Sequence, residues 1–167
     1  MQELKRGLRL DDLEHLRAEL ERASTVLVVG DNAGETVFDR FLLTEINNLN
    51  PTVKQLFYGV RSAPIINDAT ADDAAASGIG EVAAIVDTGS TAPGLLLAEM
   101  TPEFEHLFYS ADVVICKGQG NYETLSCSTK RPVYFLLKAK CGVIADDLGV
   151  EAGQYVLRRS RANPGRL

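Results

Sequence analysis

The segment from Val26 to Ile46, VLVVGDNAGETVFDRFLLTEI, is the feature that most constrains the fold of this chain. Its first four residues are all apolar, which predicts a strand that is buried on both faces. The strand leads into a tight turn at residues 30–34, and the residues that follow have the apolar spacing of an amphipathic helix. In a parallel sheet such a turn lies at the carboxyl end of the strand, where open α/β folds bind their ligands.

The rest of the chain continues this alternation of strands and helices. Apolar runs predict strands at 25–30, 53–60, 82–86, 112–116 and 132–137. Helical spacing predicts helices at 10–23, 35–47, 70–77 and about 93–109. Because parallel neighbours require crossover connections, these elements predict an α/β fold with a mostly parallel sheet and helices on both of its faces.

The two ends of the chain have different predicted structures. Residues 1–23 are predicted to contain an N-terminal amphipathic helix, because leucines recur there at helical spacing, as Leu10, Leu13, Leu16 and Leu20. The basic tail at 158–167 is expected to be frayed.

Length and composition fit one domain over residues 1–167. A chain of 167 residues with 46% hydrophobic content can bury about 70% of its unfolded surface, which suffices for one core. The absence of a long apolar stretch and the charged N-terminal segment argue against a membrane span and a secretory signal, so the predicted location is cytoplasmic. Three cysteines without a CxxC pattern argue against a disulfide framework and a zinc site. The net charge of −6 argues against a nucleic-acid partner.

Polar residues follow four of the five predicted strands and are expected to converge on one edge of the sheet. This set contains Asp31, Asn32, Arg61, Asn67, Asp68, Ser90, Lys117, Asn121, Glu123 and Lys138. Two carboxylates and an amide among them can hold Mg²⁺ or Mn²⁺ through oxygen atoms. The arginine and the two lysines suit phosphate oxygens. Asp39 and Arg40, one turn inside the second helix, are expected to form an exposed ion pair.

Five segments of the chain, taken in order, resemble the motif set of the metal-dependent damage-control phosphatases. They are GDNAGETVFDR, RSAPIINDAT, DTGSTAPG, VVICKGQGNYETL and FLLKAKC, and the resemblance covers about residues 24–150. It implies a Rossmann-like, three-layer α/β/α sandwich. It also implies hydrolysis of small phosphate monoesters, such as sugar phosphates or damaged phosphometabolites, with Mn²⁺, Co²⁺, Ni²⁺ or Mg²⁺ as cofactor.

The resemblance also implies roles for individual residues. The metal ligands would be Asp31, Asn32 and Asp68, and the catalytic residues would be Asp31, Asp68 and Lys117. The residues that face the substrate would be Arg61, Asn67, Ser90, Asn121 and Lys138, together with Lys117. Direct attack by water and a phosphoaspartate intermediate both need a carboxylate beside a metal, so both routes stay open.

One departure from the family pattern concerns the N-terminal side. Family members usually carry a long helical region before the GDNAGE strand, whereas here residues 1–25 precede it. We therefore expect apolar surface that a second copy of the chain would cover, in a homo-oligomer, with a compact monomer as the competing outcome. Two other functions stay open, namely a metal- or nucleotide-binding module without turnover and an adenosylmethionine-dependent methyltransferase.

Overall fold

The computed structural model describes residues 7–160. Its strands are β1 (Leu8–Asp11), β2 (Thr25–Val29), β3 (Gln55–Val60), β4 (Ala84–Asp87), β5 (Val113–Lys117), β6 (Tyr134–Lys138) and β7 (Tyr155–Arg159). Its α-helices are α1 (Leu13–Leu20), α2 (Thr36–Leu49), α3 (Ala71–Ala76), α4 (Pro102–Ser110), α5 (Gly118–Leu125) and α6 (Gly142–Leu148). Short 3₁₀ turns are found at Ala33–Glu35, Ile79–Glu81 and Leu97–Glu99.

The described strands form one sheet in the order β1-β7-β6-β5-β2-β3-β4. Strands β2 to β6 are all parallel, β7 is antiparallel to β6, and β1 is parallel to β7. One face of the sheet packs against α1, α2 and α3, and the other face packs against α4, α5 and α6. The predicted α/β fold with a mostly parallel sheet and helices on both faces is therefore confirmed.

The central strand β2 aligns the ends of its two neighbours. Its residues Val26 to Val29 are fully buried, as their apolar run predicts. Val29 pairs with Gly59 of β3 and with Cys116 of β5. Consequently the residues that follow β2, β3 and β5 leave the sheet at the same edge and at the same height.

The predicted N-terminal helix over residues 10–23 is wrong in its first part. Residues Leu8–Asp11 form strand β1, in which half-buried leucines alternate with exposed Arg9 and Asp11. Pairing with β7 satisfies backbone hydrogen-bonding groups of this strand, and the spacing of Leu8 and Leu10 fits the two-residue period of a strand. The helix itself is confined to α1, which buries Leu16 and Leu20 against the sheet.

The structure also corrects the C-terminal side. Arg158 and Arg159, which were expected to belong to a frayed tail, are in β7 because their backbones pair with Phe135 and Tyr134 of β6. The rest of the predicted tail, residues 161–167, and residues 1–6 of the predicted N-terminal segment lie outside the described residues.

The predicted helix at 93–109 is too long at its N-terminal end. Helix α4 begins at Pro102, after Thr101 accepts a hydrogen bond from the backbone of Phe104 at 3.1 Å. Gly94 has a φ of +101°, which a helix cannot accommodate. The strand predicted at 82–86 is observed as β4, which begins at Ala84. It begins later than predicted because a 3₁₀ turn at Ile79–Glu81 precedes it.

Two further expectations can be compared with the described surface. None of the helices within residues 7–160 is long and apolar enough to cross a membrane. The homo-oligomer stays a prediction, and the described apolar surface that a second copy could cover lies on α2. Helix α1 seals its own part of the sheet, whereas α2 exposes the apolar side chains Val37, Phe38 and Phe41.

Candidate active site

Two backbone segments lie side by side at the carboxyl edge of the sheet and carry the three predicted metal ligands. The segment after β2 contains Asp31 and Asn32, and the loop after β3 contains Asp68. The backbone N–H of Ala33 donates to the carbonyl of Asn67 at 2.8 Å, and the N–H of Ala69 donates to the carbonyl of Asp31 at 2.7 Å. These bonds form an isolated bridge between Asn32 and Asp68, which brings the three side chains together.

The loop that carries Asp68 contains a strained residue. Ile66 has a φ of +50°, and it is the one non-glycine residue with positive φ within residues 7–160. A β-branched side chain rarely adopts this conformation, and such strain persists where surrounding structure enforces it. Here the strained turn precedes Asn67 and Asp68, whose backbones are held against the segment after β2.

A buried network fixes the carboxylate of Asp68. The Nε of Arg61 donates to Asp68 Oδ2 at 2.9 Å, and the Nη2 of Arg61 donates to Asn121 Oδ1 at 2.8 Å. The amide of Asn121 in turn donates to the carbonyls of Gly30 and Lys117. Arg61 and Asn121, which were predicted to face the substrate, therefore have side chains that hold the site together, and contact with a substrate stays a prediction.

The carboxylate of Asp31 lies in an excess of negative charge. Burial and, to a smaller extent, the nearby carboxylates of Glu35 and Asp68 raise its pKa to about 6, although the positive charges of Lys140 and Arg61 oppose the shift. Within residues 7–160 no arginine or lysine forms an ion pair with Asp31. A bound cation would relieve this imbalance.

The donor set fits a hard divalent cation. Asp31 Oδ2 accepts a hydrogen bond from the amide of Asn32 at 2.8 Å, and Asp68 Oδ2 accepts one from Arg61. The second oxygens of both carboxylates and the amide oxygen of Asn32 accept no hydrogen bond from the described part of the chain. The candidate ligands are two carboxylates and an amide, which are hard oxygen donors. Among residues 7–160 no group of three or more His, Cys, Asp and Glu side chains could hold a metal ion.

Lys117 is enclosed between two carboxylates. Its Nζ donates to Glu35 Oε2 at 3.1 Å and to Asp39 Oδ1 at 2.5 Å, and the hydroxyl of Tyr58 donates to the other oxygen of Asp39 at 2.7 Å. Burial by itself would lower the pKa of Lys117, but Asp39 and Glu35 outweigh burial and raise it. The ammonium group is therefore charged and already neutralised by this chain.

The expected ion pair between Asp39 and Arg40 is wrong. Asp39 is only 2% exposed and contacts Lys117 and Tyr58, whereas Arg40 pairs with Glu81 at 2.5 Å. The physical reason is that α2 turns the face with Asp39 towards β5, and the next residue of a helix points about 100° away.

The other residues that were predicted to contact the substrate have distinct environments. The hydroxyl of Ser90 is fully buried and donates to Glu99 Oε2 at 2.8 Å. Asn67 is exposed and contributes its carbonyl to the bridge described above. The Nζ of Lys138 lies 5.2 Å from the centre of the Tyr155 ring. For all three, contact with a substrate stays a prediction.

Two residues with a part in this site were not predicted. Lys140 is exposed, and its charge lowers the pKa of both Asp31 and Glu35. Its backbone N–H donates to Gln119 Oε1 at 2.8 Å, which ties the loop after β6 to α5. Glu35 accepts from both Asn32 and Lys117. Lys140 and Glu35 each lie in a segment that resembles the phosphatase family. This resemblance was the signal in the sequence that could have identified them.

Gly118 gives a first prediction about this site. A Cβ at Gly118 would overlap with the carboxylate of Asp31, whereas a Cβ at Gly149 would meet nothing within 4 Å. Both glycines have a positive φ, +78° and +68°. We expect each alanine variant to lose about 1–2 kcal/mol of stability through backbone strain, while only Gly118→Ala also weakens Mn²⁺ binding, by roughly tenfold or more. Urea unfolding and calorimetry measure the two effects, and equal Mn²⁺ affinity in both variants would contradict the assignment.

Several known proteins have sequences similar to most of this chain. The sequence model of the damage-control phosphatase ARMT1-like domain matches residues 1–156. A damage-control phosphatase from Pyrococcus horikoshii is 38% identical over 158 residues, which are 95% of this chain and 54% of that protein. A damage-control phosphatase from Archaeoglobus fulgidus is 36% identical over 156 residues, which are 93% of this chain and 52% of that protein.

Structural similarity agrees with the sequence similarity. The crystal structure of a DUF89 family protein from Pyrococcus horikoshii superposes with a TM-score of 0.88 at 38% identity, over 95% of this chain and 55% of that chain. An uncharacterized protein from Methanocaldococcus jannaschii is 40% identical over 155 residues, which are 90% of this chain and 50% of that protein. The chain thus spans about half the length of the curated relatives it matches.

Proposed function

The chain belongs to the damage-control phosphatase ARMT1-like domain family, and from that premise we propose that it hydrolyses small phosphate monoesters with a divalent cation. Sugar phosphates and damaged phosphometabolites are the proposed substrate classes. The observation that carries the proposal is the trio of oxygen atoms on Asp31, Asn32 and Asp68 that accept no hydrogen bond from residues 7–160. Their neighbours hold the rest of each side chain in place.

We infer that Asp31, Asn32 and Asp68 would hold Mn²⁺, Co²⁺, Ni²⁺ or Mg²⁺. Such a cation, when bound, supplies Lewis acidity and positive charge to the phosphoryl group. The raised pKa of Asp31 supports this assignment, because a buried carboxylate beside two others needs positive charge. The hard oxygen ligands match all four ions, so they do not select one of them.

Each surrounding residue has a proposed task in binding and orientation. Arg61 keeps the Asp68 carboxylate in one orientation through its buried ion pair. Gly118 leaves room for the Asp31 carboxylate at the start of α5. Lys140 is an exposed cation whose charge acts at Asp31, so we propose that it binds an oxygen of the substrate phosphate.

The proposal is tested by release of inorganic phosphate from a panel of phosphate monoesters, each assayed with Mn²⁺, Co²⁺, Ni²⁺ and Mg²⁺. We expect turnover of at least one ester with at least one ion, and loss of that turnover with a chelator. Metal binding without any phosphate release would instead support a binding module. Adenosylmethionine binding without phosphate release would support the methyltransferase.

Lys140→Ala gives a second prediction, which separates turnover from metal binding. Turnover should fall roughly 100-fold because a cation on the phosphate is lost, while Mn²⁺ affinity should stay the same or rise because a positive charge near Asp31 is removed. The matched control is Lys54→Ala, since Lys54 is exposed and precedes β3 at the opposite edge of the sheet. Wild-type turnover in Lys140→Ala would remove this residue from the mechanism.

A further inference from the structure

We propose that Glu35 positions the amide of Asn32 for the cation, and that Lys117 and Asp39 hold Glu35 in place for this task. The inference rests on the proposed function, because it concerns the same cation site. It gives Lys117 a role as a positioning residue, in place of the expected contact with substrate phosphate.

Two hydrogen bonds determine which way the amide of Asn32 faces. Its Nδ2 donates to Asp31 Oδ2 at 2.8 Å and to Glu35 Oε1 at 3.0 Å. Ionised carboxylates only accept hydrogen bonds, so both N–H groups of the amide must face these two oxygens. The amide oxygen then faces away from both carboxylates. Removal of Glu35 would leave the amide with one tether and would let the oxygen leave its place among the cation ligands.

Lys117 holds the side chain of Glu35 in place. The side chain of Glu35 is 42% exposed, so by itself it could turn towards water. Its second oxygen accepts from Lys117, whose side chain is 11% exposed. Lys117 is in turn fixed by Asp39, which is anchored by the fully buried Tyr58. The exposed end of this chain of hydrogen bonds is therefore tied to the core.

The same chain of contacts returns to the turn that carries the metal ligands. The Tyr58 hydroxyl lies 2.4 Å from the position that a Cβ of Gly30 would take, directly before Asp31. The five side chains of Tyr58, Asp39, Lys117, Glu35 and Asn32 thus connect the packing under the turn with the amide beside it. Partners of metal ligands in this position change metal affinity without touching the ion.

Charge favours a positioning role for Lys117. One ammonium group faces two carboxylates, so its positive charge is already balanced within the protein. Moving it to a phosphate oxygen would leave Asp39 buried without a cation. Lys140 is exposed and forms no ion pair among the described residues, so it can meet a substrate without this penalty.

The test measures Co²⁺ binding by calorimetry and by the visible absorption of the bound ion. Glu35→Ala should weaken Co²⁺ binding roughly 10- to 100-fold and change the visible spectrum, because the amide oxygen no longer stays in place. Glu35→Gln should recover part of the affinity, because its one amide oxygen can still accept from Asn32, although its NH2 group cannot accept from Lys117. Asp39→Asn, a change away from the ligands, should weaken binding by several-fold. Glu45→Ala, on the exposed side of α2, is the matched control.

Three results would overturn the inference. Wild-type Co²⁺ affinity and spectrum in Glu35→Ala would show that Asn32 needs no second tether. Equal losses in Glu35→Ala and Glu35→Gln would show that the hydrogen bond from Asn32 to Glu35 does not contribute to Co²⁺ affinity. Unchanged affinity in Asp39→Asn would remove the anchoring role of Asp39 and Lys117. A wild-type protein that binds none of the four ions would instead contradict the proposed function itself.

Discussion

Replacement of Asp31 by asparagine is expected to abolish phosphatase turnover and to weaken divalent-cation binding roughly 100-fold or more, with the fold intact. The variant keeps the shape of the side chain but removes one of two ligand charges. Calorimetric titration with Mn²⁺ and phosphate release measure the two losses. Retained Mn²⁺ affinity in a folded Asp31→Asn protein would place the cation elsewhere.

The same variant should also be more stable than the wild type when metal is absent. The pKa of Asp31 is raised from 3.8 to about 6, so its ionised form is disfavoured in the folded protein. This penalty, at most ~3 kcal/mol, is fully present above pH 6 and disappears as the pH falls towards 4. Thermal unfolding with a chelator at pH 7.5 should therefore favour Asp31→Asn, and the difference should shrink at pH 5. A wild-type protein that is more stable at pH 7.5 would contradict this.

Replacement of Asp68 by alanine is expected to have a different and larger effect on folding. Arg61 is 3% exposed, and its Nε bonds directly to Asp68. Loss of one partner of a buried ion pair leaves an uncompensated charge and costs about 3–5 kcal/mol. Urea unfolding measures this loss. The family resemblance implies the same roles for Asp31 and Asp68, as metal ligands and catalytic residues, but their partners in the structure differ.

Two control variants define this effect. Glu21→Ala removes an exposed pair with Arg17, whose side chain is 59% exposed, and should cost less than about 1 kcal/mol. Combining Asp68→Ala with Arg61→Leu removes both buried charges and should recover much of the lost stability without restoring metal binding. If Asp68→Ala unfolds at the urea concentration of the wild type, the buried pair does not have the predicted energetic role.

Local patterns in the sequence were sufficient for the centre of the fold. The apolar run of β2, the turn after it and the helix that follows all depend on neighbouring residues, so the strand, the turn and α2 could be predicted together. Strand β1 could not be predicted in this way. The leucines at positions 8, 10, 13 and 16 satisfy both the strand and the helix period in part, and only pairing with the distant β7 decides between them.

In the candidate site, too, some residues could be predicted from local sequence, whereas other contacts depend on packing between distant segments. Asp31, Asn32 and Asp68 each follow a predicted strand, and the structure brings them together. The contact of Asp39 with Lys117 joins residues 78 positions apart and depends on how α2 is rotated against β5. Strand and helix periods in one sequence do not specify this rotation, which is set by packing across the whole sheet.

The pairing of β1 with β7 also determines when this domain can be completed on the ribosome. The carboxylate of Asp12 accepts a hydrogen bond from the backbone of Arg159, which is synthesised 147 residues later. At about 5–20 residues per second, the first strand waits roughly 7 to 30 seconds for its partner. During translation β2, β3 and β5 can therefore assemble the edge that carries the ligands, while Leu8 and Leu10 have no strand to join. The nascent chain can shape its candidate metal site before strands β1 and β7 can pair at one side of the sheet.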